Sequence, residues 1–184
     1  MPVPGMPHGP EDASPWVLRY APLIPADGTI LDVACGTGRH TRMFLNAGHR
    51  VVGVDKYVAG IANLMGTEGF DFIEADLEDG SPWPLVGRRF DAVIVTNYLY
   101  RPLFTALADA LNPGGVLIYE TFALGNERYG RPSNPDFLLR PGELLAVFSD
   151  RLETVAYMHG PIGSPPRAVV QRICGRNRGR VSTG

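Results

Sequence analysis

Two glycines and three aspartates are the residues whose types and spacing could do chemistry in this chain. The run Ile30-Leu31-Asp32-Val33-Ala34-Cys35-Gly36-Thr37-Gly38-Arg39-His40 carries an apolar stretch into Gly-x-Gly and then into helix-forming residues. Glycines there permit a tight turn and let a ligand reach the main chain with no Cβ in the way. The helix behind them offers unpaired N–H groups. The next apolar run ends at Asp55, about 20 residues further on, where a carboxylate can accept both hydroxyl protons of a ribose. The run after that ends Phe72-Ile73-Glu74-Ala75-Asp76-Leu77, which places a carboxylate where an adenine amino group could donate. Each aspartate also has a plain reading. Asp32 can be a buried polar residue satisfied by nearby main chain, Asp55 a strand-end or N-cap residue, and Asp76 a turn residue. Together, at the ends of three successive strands, they point to a nucleoside site.

Short β-branched runs occur at 30–34, 50–54, 70–74, 90–96 and 115–122. Several are almost continuously apolar, as strands covered on both faces should be. The gaps between them suit helical crossovers. Helices are predicted over 39–47 and 57–65, each closed by a glycine, over 101–111 and over 141–148; the gap 75–89 has room for a short one at most. Asn112-Pro113-Gly114-Gly115 is a strong breaker. Two further runs, 152–159 and 167–174, are separated by seven residues that include three prolines. No helix fits there, so the two must form an antiparallel hairpin. The predicted fold is α/β, a doubly wound, seven-stranded and mostly parallel sheet with the last strand reversed.

The 22 Gly and 17 Pro among 184 residues suggest low complexity, but 45 % hydrophobic and only 20 % charged residues describe a chain that buries a core. Seven of the 17 prolines precede residue 26. Residues 1–13 read as a disordered leader, 14–176 as one domain, and 177–184 as a flexible basic tail. No apolar run is long enough to span a bilayer, and the start lacks a signal peptide. The two cysteines have no metal-ligand spacing, so no metal site is expected, and a reducing cytoplasm fits.

Two chemistries compete for such a site, a dinucleotide oxidoreductase using NAD and a methyltransferase using a nucleoside sulfonium. The dinucleotide pattern wants a third small residue where Thr41 stands, and a terminal hairpin is foreign to its sheet. Asp32 beneath the turn suits an ammonium group better than a pyrophosphate. Read on, LDVACGTGRHTRMFLNAGHRVVGVD, EADLED, FDAVIVTNYLY and LNPGGVLIYETF occur in an order that resembles the class I S-adenosylmethionine-dependent methyltransferases over residues 15–175. Within that class the chain is most similar to small bacterial proteins related to the tellurite-resistance methyltransferases. The resemblance implies S-adenosyl-L-methionine as cofactor and S-adenosyl-L-homocysteine as product. It implies that Ala34 is among the cofactor-binding residues, that Gly36 and Gly38 line the methionine part and that Asp32 helps hold its amino group. Asp55 would take the ribose, Lys56 flank the adenine, Asp76 and Leu77 contact the adenine, and Asn97 sit beside the sulfonium. Arg19, in a segment 16–23 expected to cover the site, would pair with the cofactor carboxylate. Amino-group methylating members often carry Asn-Pro-Pro-Tyr after strand four; here the chain reads Asn97-Tyr98-Leu99-Tyr100.

Methyl transfer from a sulfonium is an in-line displacement in which the protein chiefly aligns the partners. Soft nucleophiles need no strong base, and no catalytic residue stands out. Tyr98, Tyr100 and Glu120 are the candidates, and Glu120 could equally be paired with an arginine. Tyr98, Tyr100, Arg101, Arg128, Tyr129 and Arg131 are candidates for contacting the acceptor, and the arginines favour an anionic or soft small molecule. Five arginines and no acid follow Glu153, and 16 of the 17 basic residues are arginine. That keeps an RNA or protein acceptor open beside the small-molecule reading. A monomer or homodimer is expected.

Overall fold

The apolar runs become seven strands of one sheet. They are β1 (Thr29–Val33), β2 (Arg50–Asp55), β3 (Phe70–Glu74), β4 (Phe90–Thr96), β5 (Leu111–Phe122), β6 (Glu153–Ile162) and β7 (Ala168–Arg176). Their spatial order is β3-β2-β1-β4-β5-β7-β6. The first five are mutually parallel, and β7 runs antiparallel to both β5 and β6. This computed structural model describes residues 12–179. Most of the expected leader and residues 180–184 of the expected tail lie outside them. The described ends are tied down. Arg39 donates to the Asp12 carbonyl, and Asn177 pairs with Gly114 and Gly115 through the main chain.

Alternate residues of each central strand face two cores. Ile30, Val51, Ile94 and Ile118 meet α1 (Pro15–Tyr20) and α2 (Arg39–Asn46), through Trp16, Val17 and Phe44. Leu31, Val52, Val93 and Tyr119 meet α3 (Phe104–Asp109) and α4 (Glu143–Phe148), through Phe104, Leu144 and Phe148. Burial on both faces is why the runs read as continuous rather than alternating.

Three expected elements differ in detail. Residues 58–64 form a 3-10 helix instead of an α-helix. Gly60 lies so close to the glycine turn that an added Cβ would stand 2.5 Å from the Gly36 carbonyl oxygen, a contact that this tighter coil accommodates. The helix expected over 101–111 splits into a 3-10 turn over 101–103 and α3. Leu111 leaves it to pair with Phe90, and β5 starts four residues before the expected Gly115. Its register slips across Asn112–Gly115 before Val116 meets Ala92, so the breaker acts as a bulge inside the strand pairing. Among the described residues, no helix is long and apolar enough to cross a membrane.

Candidate functional site

The carboxyl ends of β1, β2, β3 and β4 meet at one edge. The order steps outward from β1 to β2 on one side and to β4 on the other. Loops after such adjacent strands leave in opposite directions and open a crevice between them. The backbone at that crevice is strained. Ala34, just after β1, has φ 52°, and Asn97, just after β4, has φ 55°. Side chains meet a steric penalty in this region, and such outliers gather at functional sites. Gly36 (φ 57°) has nothing within 4 Å of an added Cβ, so its α-carbon faces open space. Gly38 differs. A Cβ there would stand 2.7 Å from Leu64 Cδ1 and 3.2 Å from Ile61 Cγ2. Gly38 therefore packs the turn against the 3-10 helix; it does not line the cleft, as the sequence suggested.

A cleft of about 330 Å³ lies above Gly36, bounded by Ala34, Asp55, Lys56, Tyr57, Ala75, Asp76, Leu77, Glu78 and Tyr98. Asp55 braces it. One carboxylate oxygen accepts from Gly36 N at 2.9 Å and the other from Tyr57 N at 3.0 Å. Each oxygen keeps a further lone pair for a ligand. Asp76 accepts from Glu78 N at 3.0 Å and lies 3.9 Å from Lys56 Nζ. The plain turn roles considered for Asp55 and Asp76 are thus present, and both side chains also line the cleft.

Asp32 sits beneath the turn and does not line the cleft. It is 2 % exposed, and Thr41 Oγ1 donates to it at 2.7 Å. Burial pushes its carboxyl up from the ordinary 3.8 to about 6, against the pull of Thr41 and Arg39. Thr41 occupies the position a dinucleotide turn leaves small and uses it to hold Asp32. His40, the residue before Thr41, accepts from Ser14 N at 3.0 Å. Burial and Arg39 push its pKa down to about 3, so it is a neutral anchor for the N-terminal segment.

That segment is not a lid. Ser14 Oγ donates to Glu120 near the end of β5, and Thr29 N donates to Asp91 at the start of β4, so the chain between them runs down the sheet face. Trp16 and Val17 are buried against that face, and helical spacing turns Arg19 outward, exposed and over the Tyr20 ring. The guanidinium that the fold does place at the edge is Arg39, 3.4 Å from Thr96 Oγ1. Its sequence signal was a cation at a helix N-terminus, against the helix dipole.

A second cleft, of about 310 Å³, adjoins the first. Asn97, Tyr98 and Leu99 after β4, Thr121 and Phe122 of β5, and Pro132, Phe137 and Glu78 line it. Glu78 and Tyr98 line both clefts. Burial and the nearby Glu78 carboxylate push that phenol up, so it stays protonated. Tyr119 Oη donates to the Tyr98 carbonyl at 2.9 Å and fixes the loop. Glu78 carried no signal beyond its place two residues after Asp76.

Other expected contacts are not brought in. Arg101 is fully engaged. Its Nε donates to Glu143 at 2.6 Å, and its terminal nitrogens reach the carbonyls of Asp136 and Leu138 at 2.7 and 2.9 Å. It is a strut for the loop after β5. Arg128, Tyr129 and Arg131 are exposed on that loop and line neither cleft, and Tyr100 packs on the core. Glu120 is buried between Ser14 and Arg172, with Arg172 Nε donating to it, so the arginine pairing is the one realised.

The glycine turn, the acidic strand ends and the reversed β7 define a nucleoside-binding class of α/β fold. A family model described as "Methyltransferase domain" matches residues 30–115. Among solved structures, TehB from Haemophilus influenzae superposes with a TM-score of 0.69 at 19 % identity, covering 88 % of this chain and 61 % of that one. The 1,6-didemethyltoxoflavin-N1-methyltransferase of Burkholderia thailandensis, solved with 1,6-didemethyltoxoflavin and S-adenosylhomocysteine bound, gives 0.62 at 21 % identity, covering 89 % and 76 %. A curated relative, the tRNA U34 carboxymethyltransferase of Shewanella piezotolerans, is 31 % identical over 160 residues, covering 71 % of this chain and 47 % of the relative. The chain spans about half the length of the curated relatives it matches. Residues 30–115 thus match a methyltransferase domain, and the fold is the one shared by solved S-adenosylmethionine-dependent methyltransferases.

Proposed function

We propose that this chain is a methyltransferase that uses S-adenosylmethionine to methylate a small-molecule acceptor. The observation that carries the reading is the first cleft, where an unobstructed Gly36 backbone faces Asp55 and Asp76 at the sheet edge. The donor set fits the cofactor. Asp55 has lone pairs free for a ribose diol, and Leu77 and Ala75 offer an apolar wall with Asp76 beside it for an adenine. Gly36 leaves room that a Cβ would fill. The buried Asp32 carboxylate and Ala34 suit the methionine end, and Asn97 lines the adjoining cleft toward which the methyl group would point. The bound cofactor supplies a methyl group on a sulfonium, a good leaving group.

This chain's residues then have three tasks. The Asp55–Gly36 contact sets the turn, the Tyr98 side chain walls one cleft from the other, and the loop held by Arg101 closes the far side. Orientation alone supplies several kcal/mol of such a barrier. S-adenosylhomocysteine binding by calorimetry tests the reading. Micromolar binding that Asp55→Ala weakens by about 100-fold supports it, since two bonds to a charged acceptor are lost. Binding of NAD in preference to S-adenosylhomocysteine overturns it.

An RNA acceptor is the second reading, drawn from the name of the curated relative. The basic C-terminal stretch supports it less than the sequence suggested. Arg172 is paired with Glu120 and Arg178 with Glu153, which leaves fewer cations to track phosphates.

A further inference from the structure

The second cleft has a charge pattern that selects among acceptors. It opens at the ends of β4 and β5, beside the cofactor cleft, with Glu78 and Tyr98 lining both. A methyl acceptor must sit across that shared wall to meet the methyl group. Of the lining side chains Glu78 carries the one formal charge, and it is negative. Tyr98, Phe122 and Phe137 give the cleft three aromatic rings. Ring faces and a carboxylate both attract cations and polarised N–H groups, and both repel anions. Among the described residues, no cation lines this cleft beside Glu78. Arg101, the nearest arginine in sequence beyond Tyr98, directs its donors to Glu143, Asp136 and Leu138. Lys56 faces Asp76 in the other cleft.

We propose that the second cleft binds the methyl acceptor and that Glu78 makes it select a cationic or uncharged planar nitrogen compound over an anion. The proposal rests on the methyltransferase reading and reverses the anionic preference that the loop arginines suggested. Glu78 and Tyr98 stand together on the wall that the two clefts share. The carboxylate's lone pairs take the N–H of the acceptor, while the rings stack on its plane.

Benzamidine and benzoate test this, being alike in shape and opposite in charge, with the protein saturated by S-adenosylhomocysteine. Ligand-detected NMR titration should show benzamidine binding at least about tenfold tighter than benzoate. Glu78→Gln should reduce that ratio to about threefold or less. Phe137→Ala, at an exposed side chain that lines this cleft and not the cofactor cleft, should weaken benzamidine while S-adenosylhomocysteine affinity holds, which places the probe in the second cleft. Benzoate binding as tightly as benzamidine, no measurable benzamidine binding at millimolar concentration, or a ratio that survives Glu78→Gln each overturns the charge selection while leaving the cofactor site intact. Failure of the wild-type protein to bind S-adenosylhomocysteine in the first step instead overturns the methyltransferase reading and this proposal with it.

Discussion

Replacing Asp32 by asparagine should uncouple stability from ligand binding. The carboxyl is buried and its pKa rises from the ordinary 3.8 to about 6, mainly through loss of solvation. The linkage has an unusual sign for a carboxylate. Between those two values the unfolded chain has released its proton and the folded chain has kept it. Stability contributed by the protonated group is therefore full below pH 3.8 and lost as the pH rises to about 6, after which the curve levels. At about 1.4 kcal/mol per pH unit the whole loss is about 3 kcal/mol. An asparagine side chain cannot ionise, so the Asp32→Asn variant should lack this descent. Urea unfolding followed by tryptophan fluorescence across pH 3.5 to 8 measures it. The informative quantity is the variant-minus-wild-type difference at each pH. In it, every other titrating group cancels, and the fixed cost of burying an amide adds only a constant. That difference should climb by about 3 kcal/mol and reach a plateau above pH 6. A flat difference would refute the claim that Asp32 is held ionised against its burial. The second half of the experiment is calorimetry with S-adenosylhomocysteine. If the strained carboxylate receives the ligand's ammonium, the variant should lose about 10- to 100-fold in affinity, the worth of one charged hydrogen bond. Unaltered affinity would confine Asp32 to supporting the turn through Thr41.

Three further outcomes follow from the same geometry. Gly36→Ala forces a Cβ onto a φ of 57° and into the open cleft; it should cost about 1 kcal/mol in thermal unfolding and abolish S-adenosylhomocysteine binding. Arg101→Lys keeps the charge but loses the fork that joins Glu143 to two loop carbonyls, so limited proteolysis should cut the loop at 123–140 faster while cofactor affinity stays the same. Glu120→Ala leaves the partly buried Arg172 without its carboxylate partner and should destabilise by about 3 kcal/mol in urea, yet the protein that remains folded should bind S-adenosylhomocysteine as before.

The parts of this protein that are legible in its sequence are those set by local or periodic rules. Continuous apolar runs announce strands buried on both faces, and a proline-rich link too short for a helix announces a reversal. Gly36, Asp55 and Asp76 can be placed because each is fixed by its position at the end of a strand, and strand ends can be counted. Apart from Gly38, which Ile61 and Leu64 hold against the 3-10 helix, the misplaced residues depend on where a long side chain goes after its backbone is set. Arg19 turns away because Trp16 and Val17 fill the face of the sheet, and so short a helix cannot present both sides to it. Arg101 and Glu120 sit near the edge as expected, but each meets an opposite charge, a carbonyl or a hydroxyl brought from 35 to 106 residues away, and those partners satisfy it. Spacing reports the backbone's address and is silent about competition for the side chain. Glu78 is hidden for the same reason. It follows Asp76 in an acidic stretch that reads as ordinary turn chemistry. Its distinction lies in what lines the cleft with it: three rings and, among the described residues, no cation. A residue satisfied by distant partners is a strut however reactive its type, and a charged residue left beside a cavity is the one available to a ligand.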